Sequence, residues 1–184
     1  MPHIALPVSR RRALFTALSM VASAGLAGCA VSVPAHIQPI SGFDAAKYAG
    51  TWYEIARIEQ WFEKDLIQTS AQYTLQSDGS LQVINRGFHP EQQEWKESVG
   101  TARFLGDSRV AALKVSFFGP FYGGYNVVSL DADYQVALVV GQSTDYFWLL
   151  SRKQHLPQAE IYQLLQKAQA MGVDLNKVLL VKQQ

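Results

Sequence analysis

The stretch Thr69-Ser70-Ala71-Gln72-Tyr73-Thr74-Leu75-Gln76-Ser77-Asp78-Gly79-Ser80-Leu81-Gln82-Val83-Ile84-Asn85-Arg86 decides the fold class. Ala71, Tyr73 and Leu75 alternate with polar neighbours. Leu81, Val83 and Asn85 then alternate with Gln82, Ile84 and Arg86. A period of two sends successive side chains to opposite faces, as a strand buried on one side requires. Ser77-Asp78-Gly79-Ser80 between the runs is turn chemistry, since Gly accepts positive φ and Asp bonds its own backbone. The stretch reads as a β-hairpin.

The same pattern continues on both sides. A strand opens at Gly50. After Pro90 come runs over Trp95 to Phe104, Ala111 to Phe118, Tyr122 to Leu130, Tyr134 to Gly141 and Tyr146 to Arg152. Gly106-Asp107-Ser108 and Gly119-Pro120 punctuate them. Eight strands with short links predict an antiparallel sandwich or barrel. Phe43 to Tyr48 predicts one helical turn, with Asp44 near its start. In the tail, Ile161, Leu164, Leu165 and Ala168 recur at helical spacing between Pro157 and Met171, and Gly172 is a suitable stop. Val178 to Val181 reads as a short last strand. One helix after eight strands has only the outside of the sheet on which to lay its apolar stripe.

The chain has 184 residues, 48% hydrophobic and 17% charged, with 16 Lys+Arg against 15 Asp+Glu. That composition suits a packed core and offers no broad basic footprint for nucleic acid. The first 28 residues stand apart. Arg10, Arg11 and Arg12 precede an apolar run from Ala13 to Ala27, with no acid. The run is short of the ~20 residues a bilayer span needs and reads as a cleaved leader. It ends in Leu26-Ala27-Gly28-Cys29, and Cys29 is the chain's one cysteine. This ending resembles the bacterial lipobox, in which the leader is cut before a lipidated cysteine. The reading divides the chain into a signal peptide over 1–28, a flexible tether over 29–40 from lipidated Cys29, and a barrel domain over 41–184.

Gly50-Thr51-Trp52-Tyr53 opens the first strand, Thr144-Asp145-Tyr146 precedes the eighth, and Arg152 ends it. In this order, with a helix following, these signals resemble the lipocalin family. Tyr53-Glu54-Ile55-Ala56-Arg57, Ala112 to Asn126 and Trp148 to Arg152 are similar to its bacterial outer-membrane group, related to apolipoprotein D. The resemblance covers residues 43–182. It implies an eight-stranded up-and-down barrel with the C-terminal helix packed outside. It gives Gly50, Trp52, Thr144, Asp145 and Arg152 structural roles, with Arg152 packed over the Trp52 ring that plugs the closed end.

A barrel of eight strands is just wide enough for one small ligand. Alternation places Ala56, Tyr73, Val83, Asn85, Leu113, Val115, Phe117, Tyr125, Val127 and Trp148 inward. Starting from Trp52, it also puts Glu54 and Ile58 on that side, and Leu150 of the eighth strand faces inward too. The set is apolar with a few polar tips, which suits a long apolar ligand with one polar end. Burying about 16 methylenes gains about 13 kcal/mol gross, against the ~8 that a micromolar complex needs. The resemblance implies fatty acids or lysophospholipids, with Arg57, Lys114 or Tyr125 meeting the head group. It also implies a lipid anchor on the periplasmic face of the outer membrane, since Ala30 and not Asp follows Cys29.

Other functions remain open on the residues alone. A filled barrel would make a structural or scaffold lipoprotein. An isomerase-like enzyme finds little to work with: His89 precedes a proline, His155 sits in a loop, and Ser116 and Ser129 lack a base partner. No spacing marks a metal or an axial haem ligand, so neither metal nor cofactor is expected. A homodimer across Phe118, Phe121 and Tyr122 is compatible with either non-catalytic role.

Overall fold

A computed structural model of the protein describes residues 31–183. Cys29 and the leader over 1–28 lie outside the described residues. The first element is a single helical turn, α1 (Ala45–Tyr48), whose N-cap Asp44 accepts from the amides of Ala46 and Lys47. Eight strands follow: β1 (Gly50–Ile58), β2 (Ile67–Leu75), β3 (Leu81–His89), β4 (Glu94–Phe104), β5 (Ala112–Phe118), β6 (Phe121–Leu130), β7 (Val136–Val140) and β8 (Phe147–Ser151). Then come α2 (Gln158–Ala170), a 3-10 turn and a short β9 (Val178–Leu180).

From β1 to β8 each strand pairs antiparallel with the next, and β1 closes the ring by pairing with both β8 and β2. The decisive hairpin keeps the register its pattern predicts, with Tyr73 opposite Val83 and Leu75 opposite Leu81. At its turn Gly79 takes φ +79° and Asp78 accepts from the Ser80 amide.

Two apolar clusters divide the molecule. Trp52, Ala71, Tyr73, Leu81, Val83, Ala102, Leu113, Val127, Val139 and Leu150 fill the inside, with contributions from all eight strands. Outside, Ile161 and Ala168 of α2, with Leu164 and Leu165, pack on Ala56, Val128, Leu138, Val140, Phe147 and Leu149. The helix therefore covers the β1–β8–β7–β6 side of the barrel, as its apolar stripe demands.

Simple alternation fails in β1. The pairing of β1 with β8 shifts between Glu54 and Ala56, so Glu54 faces Leu150 and Ala56 faces Leu149. Ile55 and Ala56 then both join the outer cluster, and so does Ile58. Ala56 was expected inside; the bulge turns it out and turns Arg57 in, where it bonds Glu54. Beyond the bulge, β1 exchanges partners. Its start pairs with β2, and its end, Ala56–Ile58, pairs with β9. The C-terminal segment wedges in at this parting, with Gln183 Nε2 donating to the carbonyls of Glu54 and Thr69.

The expected tether also differs. Ile37 is buried and Val33 packs with it on the outer cluster. The Ile40 amide donates to the Val127 carbonyl, and its own carbonyl accepts from Ala111. The folded body thus begins several residues before Ser41.

Candidate ligand cavity

The barrel is shut at one end. The Trp52 ring is fully buried, and its Nε1 donates to the Tyr48 carbonyl at 2.8 Å. Arg152 lies over that ring and donates to the carbonyls of Thr51, Lys47, Tyr48, Ala49 and Tyr134. Gly50 makes the approach possible: its φ is +101°, and a Cβ there would sit 3.1 Å from Arg152 Nη1. Thr144 and Asp145, written as part of the same motif, lie elsewhere. They form the β7–β8 turn at the other end, where the Asp145 carbonyl accepts from Gln60 and its carboxylate from Lys177.

Above the closed end lies a cavity of about 490 Å³ that opens between the strand ends, with a narrower pocket of about 80 Å³. That is room for one drug-sized or single-chain lipid ligand. Of the ten residues expected to face it, Asn85, Val115, Phe117 and Trp148 line both spaces, and Tyr73, Val83 and Tyr125 line the narrower pocket. Leu113 and Val127 point inward but are sealed in the packed core and line neither space. Ala56 faces the helix. Leu150, also placed inward, lines the narrower pocket, and further lining comes from Glu54, Phe62, Glu63, Ala71, Ala102 and Gly124. Glu54 lay on the inward side of the β1 alternation. Phe62 and Glu63 belong to the loop between β1 and β2, which carries no period to read.

Three tyrosines form a hydrogen-bonded triad on the inside of the barrel, with Tyr73 and Tyr125 bordering the narrower pocket. The Tyr125 hydroxyl meets that of Tyr48 at 2.6 Å and accepts from Tyr73 at 2.8 Å. Burial raises the pKa of all three, so they stay neutral. Three hydroxyl protons serve two contacts, which leaves one O–H of the triad uncommitted.

A charged cluster stands where β1 parts from β2. Arg57 Nη1 donates to Glu54 Oε2 at 3.0 Å and to Thr69; Nη2 donates to the carbonyls of Glu63 and Leu66. Arg57 thereby pins the 59–66 loop over the cavity mouth. Its Nε lies 3.8 Å from Glu63 and makes no hydrogen bond. Glu63 accepts from Trp148 Nε1 at 3.2 Å. Burial, and then the Glu54 charge, push the Glu63 acid up to about 9, so it is neutral at pH 7. Of the expected head-group contacts, only Tyr125 borders the cavity. Arg57 is enclosed in its own hydrogen bonds, and Lys114 turns outward over the Tyr122 ring. The outer rim is aromatic, with Trp61, Phe118 and Phe121 each more than two-thirds exposed.

A lipocalin-like domain model matches residues 43–183. The chain is 47% identical over 150 residues to the outer membrane lipoprotein Blc of Citrobacter freundii, across 82% of this chain and 85% of that protein. It is 33% identical to mouse apolipoprotein D, across 74% of this chain and 75% of that one. The crystal structure of the cockroach allergen Per a 4 superposes with a TM-score of 0.65 at 22% identity, covering 84% and 97% of the two chains. The chain belongs to the lipocalin family. The relatives compared carry names of lipoproteins and lipocalins, not of enzymes.

Proposed function

We propose that this lipocalin takes up one single-chain lipid, a fatty acid or a lysophospholipid, and stores or transports it in the bacterial envelope. The observation that carries the reading is the cavity: about 490 Å³, mainly apolar and open at an aromatic rim, with a narrower pocket bordered by Tyr73 and Tyr125. An apolar chain laid there gains burial along its length, and its polar end stays near the mouth. The open volume supports a carrier over a filled scaffold barrel.

The lipobox-like Leu26-Ala27-Gly28-Cys29 supports attachment through a lipid on Cys29. The name of the Citrobacter freundii relative supports placement at the outer membrane. Ala30 after the cysteine agrees with release from the inner membrane to the periplasmic face of the outer one. Packing of the folded body begins at Val33, so the tether on this reading is much shorter than the segment 29–40.

The test is a native mass spectrum of the chain from Val31 onward, followed by lipid analysis of the denatured sample. A stoichiometric fatty acid or lysolipid is expected. A protein that stays empty after incubation with lysophospholipid would exclude the carrier reading.

A further inference from the structure

Glu54 reaches into the cavity in an unusual state. Its side chain is only 9% exposed, yet it lines both the main cavity and the narrower pocket. Both hydrogen bonds it accepts, from Arg57 and Thr69, end on Oε2. Oε1 takes no bond from any described residue. The cation that balances Glu54 stands behind it, because Arg57 is 1% exposed and spends its Nη donors on protein oxygens. A ligand in the cavity therefore meets the carboxylate and not the guanidinium.

The surrounding charges reinforce this. Three carboxyl groups, Glu54, Glu59 and Glu63, gather on the single guanidinium of Arg57. Glu63, held neutral, brings no positive charge to Glu54 and leaves Arg57 as the cation paired with it. The nearby Trp148 indole is already committed to Glu63. Lys114 lies over the Tyr122 ring; the cations that line the main cavity, Arg86 and Lys96, are engaged with the Trp95 ring and with Glu94.

We propose that Glu54 is a specificity-determining residue: its free oxygen selects amphiphiles whose polar group donates a hydrogen bond, an amine or hydroxyl head, and disfavours free carboxylates. An ammonium or alcohol gives Oε1 the donor it lacks. A carboxylate offers only lone pairs and negative charge to a buried anion, and neither partner is relieved. This inference rests on the lipid-cavity reading and, within it, favours a lysophospholipid, whose glycerol hydroxyl is such a donor, over a fatty acid.

The experiment uses the chain from Val31 with the neutral fluorophore N-phenyl-1-naphthylamine in the cavity. Dodecylamine, dodecan-1-ol and dodecanoate, equal in chain length, compete for it at pH 7. The amine and the alcohol are expected to displace it at concentrations about tenfold or more below that of dodecanoate, the scale of one hydrogen bond to a charged group. Glu54→Gln should bring the three within about threefold, chiefly through a gain for dodecanoate. Glu63→Gln replaces a neutral acid with a neutral amide and should keep the wild-type ranking. Dodecanoate competing as well as the others in the wild type overturns the inference while leaving the lipid cavity intact. An unchanged ranking in a folded Glu54→Gln variant overturns it too. If neither the fluorophore nor any of the three enters, the cavity reading itself fails, and the inference with it.

Discussion

The guanidinium carbon of Arg152 lies 4.0 Å from the centre of the Trp52 ring, joining the end of β8 to the start of β1 across the closed end of the barrel. The contact combines cation–π attraction with a fan of donors to five carbonyls, three of them, Lys47, Tyr48 and Ala49, at the C-terminal end of α1. Lysine has a point charge and cannot spread over those acceptors. Arg152→Lys should lower stability by about 2–3 kcal/mol, or roughly 5–10 °C in thermal midpoint. Lipid binding per folded molecule should stay the same. A midpoint within 1 °C or so of the wild type would show that the fan contributes little.

Tyr125 is the hub of the tyrosine triad: the Tyr48 and Tyr73 rings pack together at 5.3 Å, but their hydroxyls are joined only through that of Tyr125. Tyr125→Phe leaves the buried hydroxyls of Tyr48 and Tyr73 without that partner, at a cost of about 2–4 kcal/mol. Tyr73→Phe strands no second hydroxyl and should cost less. Urea unfolding of the two variants gives the order directly, and equal losses would contradict the hub.

Glu63 makes stability depend on pH. Its folded pKa, near 9, lies above the ordinary carboxyl value of about 4.3. Folding therefore takes up a proton across that window. The stability tied to this proton is complete below the unfolded value and is lost as pH rises through the folded one. Glu63→Gln removes the linkage and keeps an acceptor for Trp148. Its thermal midpoint should match the wild type near pH 5 and exceed it increasingly toward pH 9. A difference independent of pH across melts at pH 5, 7 and 9 contradicts a neutral Glu63.

Val115 borders both parts of the cavity and is only partly buried. Val115→Trp should fill the space a lipid would occupy. Copurified or added lipid should fall about tenfold or more, with the fold kept by circular dichroism, since the added ring enters a void and not a packed core. Undiminished lipid in a folded variant would place the ligand elsewhere.

The residues before Ser41 should stabilise the domain. Ile37 is 5% exposed on the outer cluster, and Ile40 joins the ladder between Ala111 and Val127. A chain starting at Ser41 loses both, and should be about 2–4 kcal/mol less stable in urea than one starting at Val31. Identical unfolding curves would mean that the segment contributes nothing in solution.

Most of the fold was legible. The alternation of Ala71, Tyr73, Val83 and Asn85, the Ser77–Ser80 turn and the stripe Ile161–Leu164–Leu165–Ala168 each report a local preference that the tertiary structure keeps. Seven of the ten inward residues line the cavity for the same reason. Leu113 and Val127 show the difference between facing in and facing a void: side is set by local period, whereas space is set by what the opposite strands contribute.

The sequence by itself determined the strands, the hairpin register, the outer helix and the family, because each rests on neighbours within a few positions or on a motif written in order. Only the tertiary structure decided three things. One extra residue at Ile55–Ala56 reversed the inward side of β1, exposing Ala56 to the helix and bringing in Arg57. The docking of Val33, Ile37 and Ile40 made a supposed tether part of the domain. The barrel's closure set Glu63 against Trp148, 85 positions away, and left Glu54 bare at the cavity. Such contacts depend on where the chain returns after eight strands, a sum of bulges and twists that no single stretch of residues contains.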